Sequence, residues 1–103
     1  MTHAELLENE HPGKMLREDY LEPLGITPYK LAKGTGLTPT HVSELLKGER
    51  NITIMTSLLL GTFFEMSPTF WTNLQIHYDQ IEAQRSHPER LAKAVSYRQL
   101  LAA

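Results

Sequence analysis

The segment LAKGTGLTPTHVSELLKG, residues 31–48, constrains this chain more than any other stretch. Leu31, Ala32, Leu37, Val42, Leu45 and Leu46 are spaced to bury one helical face, yet Gly34, Gly36 and Pro39 interrupt it. Inside a helix glycine costs about 1 kcal/mol and proline about 3 kcal/mol relative to alanine. The segment therefore reads as two short helices joined by a tight bend. Each position in that bend has its own steric reason. Ala32 is small where two helices cross closely, and Gly36 is free to take the left-handed conformation. Val42 and Leu45 anchor the second helix on the first, and Thr38 caps its start. Two short helices with a glycine turn are the sequence form of a helix-turn-helix.

The prolines extend this reading along the chain. A proline at the first helical position loses no useful hydrogen bond. His11-Pro12, Thr27-Pro28, Thr38-Pro39, Ser67-Pro68 and His87-Pro88 each have that shape, and Thr53 caps one more start. Stops are expected at Glu22, which precedes Pro23, at Gly36 and at Gly48. Six helices follow, near 12–22, 28–34, 39–47, 54–64, 68–84 and 88–101, with no strand or hairpin pattern competing. The fold class expected is all-α.

At 103 residues the chain suits one domain with one modest core. It has no cysteine, which excludes disulfides and thiolate metal sites. No apolar run approaches the roughly 20 residues of a membrane span, and MTHAELLENE lacks the form of a signal peptide, so the expected location is cytoplasmic. The net charge of −2 is unevenly spread. Residues 1–27 set Lys14 and Arg17 against Glu5, Glu8, Glu10, Glu18, Asp19 and Glu22, a net −4. Residues 28–53 set Lys30, Lys33, Lys47 and Arg50 against Glu44 and Glu49, a net +2. A basic middle suits a nucleic-acid face, though the asymmetry is small. An enzyme is disfavoured, because there is no cysteine nucleophile, glycine-rich phosphate loop or HExxH. The histidines at 3, 11, 41, 77 and 87 lack metal-ligand spacing, and no cofactor is expected.

With Val42, Leu45 and Leu46 turned inward, Thr40, His41, Ser43, Glu44 and Lys47 point outward from the second helix of the motif. Such a helix reads base edges from its N-terminal end in the major groove. Thr40, His41 and Ser43 have the chemistry to meet bases. Thr38 is a cap first and a phosphate contact second. Lys30, Lys47, Arg50 and Asn51 are candidate phosphate contacts, which position a protein without reading sequence. Glu44 either accepts from a cytosine amino group or points away.

Two apolar stripes lie beyond the motif. Ser57, Leu60, Gly61 and Phe64 share one side of helix 54–64, whereas Met55, Leu59 and Phe63 form a second stripe. A helix apolar all round is buried all round, so the second stripe is expected to meet either a second subunit or the C-terminal helix folded back as a lid. Trp71, Leu74, Tyr78 and Ile81 form a core stripe first and a dimer seam second.

Four motifs in order, HPG, LEPLG-x-[ST], LLKGERNIT and SPxFWxNLQxxYD, resemble the HigA-type antitoxins within the lambda-repressor-like helix-turn-helix group. The resemblance covers about residues 11–85. It implies a five-helix DNA-binding domain there, preceded by an acidic segment 1–10 (disordered or one short helical turn) and followed by a helical extension 86–103. It also implies a homodimer that binds an inverted-repeat operator, represses its own operon, and neutralises a toxin that cleaves mRNA on the ribosome. The acidic N-terminal part is the expected toxin-facing surface, since a toxin that grips RNA should be basic. A stand-alone repressor, or a toxin binder without DNA binding, remains open. Two departures stand out. Pro28 occupies a position where relatives carry a polar phosphate holder, and Glu65 replaces a glycine common at the end of its helix.

Overall fold

The computed structural model describes residues 9–102, and those residues form helices and connecting turns with no strand. The first helix, α1, covers 12–24 and changes pitch twice: it is α-helical at Pro12–Met15, π-helical at Leu16–Leu21 and α-helical at Glu22–Leu24. It is followed by α2 (Pro28–Thr35), α3 (Pro39–Leu46), α4 (Ile54–Phe64), α5 (Phe70–Ser86), α6 (Pro88–Lys93) and α7 (Tyr97–Ala102). None of the described helices is long and apolar enough to cross a membrane.

Helix α1 runs past the stop expected at Glu22. Glu22 is helical, its N–H bonds back five residues to the Arg17 carbonyl, and Gly25 ends the helix in the left-handed conformation. A proline ring inside a regular helix collides with the carbonyl four residues earlier. The wider turn ahead of Pro23 gives that ring room.

Capping fixes the motif. The hydroxyls of Thr27 and Thr38 accept from the N–H groups of Lys30 and His41, at 3.1 and 3.0 Å, where α2 and α3 begin. Gly36 ends α2 at φ 79°, with its N–H on the Ala32 carbonyl. Thr35, which is buried, donates to the Leu31 carbonyl and accepts from the Leu37 N–H, completing the bend. Leu31, Ala32, Val42, Leu45 and Leu46 then join Leu16, Leu21, Ile52, Leu60 and Trp71 in one core.

Helix α4 buries the side expected of it: Ser57, Leu60 and Gly61 are enclosed and Phe64 is half-buried. Ser57 donates to the Pro68 carbonyl at 2.7 Å and accepts from the Thr72 N–H, which ties α4 to the start of α5. Because Pro68 is used in this way, Ser67, Pro68 and Thr69 form a turn and α5 starts at Phe70, two residues later than expected. Glu65 adopts the left-handed conformation, φ 55° and ψ 51°, at the position noted for a missing glycine.

The C-terminal segment is two helices, not one. Ala94 is extended, and Ser96 and Gln99 then form a reciprocal capping box that restarts the chain as α7. Neither helix is a lid. Every residue from 83 to 102 is exposed, Leu91, Val95, Leu100 and Leu101 included, and the main packing of α6 among the described residues is against α5.

Candidate nucleic-acid interface

The interface is built around α3, held at both ends. Its N-terminus is closed by Thr38, whose oxygen is committed to the His41 N–H, in keeping with a cap before a phosphate contact. Its C-terminus closes through Gly48 at φ 73°, with the N–H groups of Gly48 and Glu49 on the carbonyls of Leu45 and Glu44. Val42, Leu45 and Leu46 face the core; Thr40 and Lys47 are exposed, and His41, Ser43 and Glu44 are half-exposed. The polar residues read from the sequence thus share the outward side of one helix, with the Nε2 of His41 enclosed beneath it.

A clamp from α1 supports that helix from behind. A Cβ added to Gly13 would stand 1.7 Å from the Leu45 carbonyl oxygen, so only glycine lets α1 approach the end of α3 this closely. His11 Nδ1 accepts from the Gly13 N–H at 2.9 Å, and its ring lies edge-on to Tyr78. Burial pushes the His11 imidazole below its ordinary value, against an opposing pull from Asn51 and Asp79. The HPG motif was legible as a helix start; its role as the seat of α3 was not.

The other candidates divide. Lys30 is exposed in the first turn of α2, where Pro28 holds the first helical position and Tyr29 stands 69% exposed between them. Arg50 is not a free cation: its Nε donates to Glu44 Oε2 at 3.0 Å. Asn51 accepts at Oδ1 from Gln75 Nε2, 3.3 Å away, which turns its carbonyl inward. Gln75 is the residue that sequence reasoning missed. Buried, it accepts from the Ile52 N–H at 2.9 Å and donates to Asp79 as well as Asn51, so it moors the loop after α3 to α5. The available signal was a glutamine four residues after Trp71, in a position that a core stripe should fill with an apolar side chain. His41 is pushed below its ordinary value, first by burial and then by the Arg50 charge, with Glu44 opposing.

The expected subunit stripe is redrawn. Trp71 is wholly enclosed by its own chain, edge-on to Tyr20 and Phe70, and cannot form a dimer seam. Phe63 is half-buried with its ring against Gly34, so it belongs largely to the chain's own packing, and Leu59 is half-buried beside it. Met55 is exposed, and the apolar residues that accompany it are Ile54 and Leu58 on α4 and Ile76 on α5.

Architecture and interface together define the class: a helix-turn-helix domain with its second helix presented to solvent. A helix-turn-helix family model matches residues 18–71. The chain is 32% identical over 77 residues to antitoxin HigA-1 of Vibrio cholerae, covering 75% of this chain and 72% of that protein. It is 39% identical over 69 residues to virulence-associated protein I of Dichelobacter nodosus, covering 67% of this chain and 64% of that relative. Among solved structures, Pseudomonas aeruginosa antitoxin HigA with the higBA promoter superposes with a TM-score of 0.80 at 27% identity, covering 86% of this chain and 97% of that one. An addiction module antidote protein of a HigA family from Coxiella burnetii gives 0.79 at 34% identity, with the same coverages. The chain belongs to the HigA-type antitoxin family, whose members are DNA-binding regulators and not enzymes.

Proposed function

We propose that this chain is a cytoplasmic antitoxin that binds an inverted-repeat operator as a homodimer and neutralises a toxin encoded beside it. The observation that carries the DNA part is the presentation of α3, capped by Thr38 and seated on Gly13, with Thr40, Ser43 and Lys47 facing out. Thr40, His41 and Ser43 meet base edges. Lys30 and Lys47 meet phosphates, and Tyr29 offers a hydroxyl where Pro28 has no donor.

Dimerisation uses the exposed apolar residues of α4 and α5, Ile54, Met55, Leu58 and Ile76, which one chain leaves in water. Toxin binding uses the acidic outer side of α1, where Asp19 and Glu22 are exposed and Glu18 shares its charge with Arg17 at 3.5 Å. Glu10 is exposed and pairs with Lys14 at 3.0 Å, whereas Glu5 and Glu8, the other acids of that expectation, lie outside the described residues.

Co-expression with the product of the neighbouring reading frame tests the toxin reading. Growth arrest by the neighbour alone, relieved by this chain, supports it. A harmless neighbour, or no rescue by a chain that still binds its own promoter, indicates the stand-alone repressor. Light scattering tests the dimer: twice the 11.8 kDa chain mass is expected, and Ile54→Glu with Leu58→Glu should leave a folded monomer. A double variant that stays dimeric places the interface elsewhere.

A further inference from the structure

The cluster formed by His41, Glu44 and Arg50 on the outward side of α3 goes beyond a set of independent contacts. Arg50 lies in the loop after α3, yet its Nε donates to Glu44 Oε2 at 3.0 Å, so its side chain folds back along the helix that presents Thr40 and Ser43. His41, one turn before Glu44, feels the charges of both partners. The guanidinium is therefore held against Glu44, on the outward side of α3.

An arginine has five N–H donors in a rigid planar fork. Binding a carboxylate through Nε leaves the outer edge of the fork, between the two terminal nitrogens, open to a second partner. Those two nitrogens are the pair that grips adjacent acceptors, such as O6 and N7 of guanine. Holding the fork in advance reduces the side-chain freedom lost on binding. Exposed ion pairs contribute little to stability, so stabilising the fold is a poor reason for this one. Glu44 has the opposite charge to what a phosphate-facing helix favours, and this arrangement gives it a use.

We infer that Glu44 is a positioning residue that aims Arg50 at a base edge, so that Arg50 is a sequence-reading side chain and not a phosphate contact. The inference rests on the DNA-binding reading above. It predicts that Glu44 raises discrimination between sequences while lowering affinity for DNA in general.

The test uses the full chain, a duplex selected by the wild-type protein from a random library, and a scrambled duplex of equal length. With Glu44→Gln, affinity for the selected duplex should fall about tenfold, in line with the loss of one bidentate base contact. Affinity for the scrambled duplex should hold or rise. Arg50→Ala should cost a similar factor on the selected duplex, and the double variant should be no worse than Arg50→Ala alone, because Glu44 acts only through Arg50. If Glu44→Gln strengthens both duplexes equally, Glu44 is only a repelling charge and the inference is overturned. Losses that add in the double variant also overturn it. A wild-type chain that selects no duplex removes the DNA-binding reading itself, an outcome distinct from either. Lys47→Ala serves as the phosphate control, weakening both duplexes alike and lowering the salt slope by about 1.

Discussion

Replacing Gly13 with alanine adds one methyl group at the tightest approach in the molecule. That carbon would lie 1.7 Å from the Leu45 carbonyl oxygen and 2.8 Å from its carbon, both backbone atoms of α3. Non-bonded heavy atoms prefer separations of about 3.5 Å or more, so the start of α1 must move by well over an ångström. Overpacking of this kind costs about 1–3 kcal/mol. The movement also strains the His11 bond to the Gly13 N–H, a cap worth about 1 kcal/mol. Against these, alanine is the better helix former by up to about 1 kcal/mol. The net expectation is a loss of about 2 kcal/mol. For a domain of this size that corresponds to a fall in Tm of roughly 8–16 °C, at 4–8 °C per kcal/mol.

The informative control is Gly34→Ala. There the added carbon would also clash, at 2.2 Å, but against the ring of half-buried Phe63. A side chain at the edge of the core can turn away where a backbone cannot. The helix-propensity gain of about 1 kcal/mol then roughly offsets the lost contact, and Tm should change little. Thermal melts followed by circular dichroism read both variants. If Gly13→Ala melts within about 2 °C of the wild type, the seating of α3 on α1 is not the tight contact described. Equal losses at the two glycines would refute the distinction between backbone and side-chain obstacles.

Two further outcomes follow from single residues. Glu65→Gly should stabilise the fold by about 0.5–1 kcal/mol, because relief of the left-handed strain exceeds the entropy cost of glycine; an unchanged or lower Tm would show that Glu65 carries no strain. Stability should also fall as the solution is acidified. Burial lowers the His11 value in the folded state, so the folded chain resists the proton that the unfolded chain accepts. That contribution is complete above the ordinary histidine value of 6.5 and is lost as pH falls through it and through the lower folded value. His11→Asn keeps an acceptor for the Gly13 N–H while removing the titration, so its Tm should vary less between pH 7.5 and 5. Some slope should survive, because His41 shifts in the same direction. An identical slope in the variant would remove His11 from the account.

Local steric rules carried far along this chain. Proline after threonine located the starts of α2 and α3 to the residue, and Gly36 and Gly48 located their ends, because such caps depend on few neighbours. Where expectation and structure part, a contact distant in sequence usually decides. Ser57 takes the Pro68 carbonyl and delays the start of α5. The approach of Gly13 to Leu45 spans more than thirty positions, so HPG reads locally as no more than a helix opening. The π-helical turn that lets α1 pass Pro23 has no local signature, whereas the Ser96–Gln99 capping box was in plain view and divides the C-terminal segment. For the DNA face, the helix and its outward residues were legible from spacing alone. The pairing of Arg50 with Glu44, and of Asn51 with Gln75, was not, since each joins a loop to a helix whose relative placement only the fold determines.

The proposed function stands or falls with α3 as the helix that reads DNA. The direct measurement is the affinity of a Thr40→Ala, Ser43→Ala, Lys47→Ala variant for the duplex selected by the wild-type chain, compared with the scrambled duplex, by fluorescence anisotropy at one fixed salt concentration. All three residues lie on the outward side of α3, away from its core contacts, so the variant should melt with the wild type. Its affinity for the selected duplex should drop to that for scrambled DNA. A folded variant that still prefers the selected duplex by the wild-type factor would contradict the claim and move recognition off this helix.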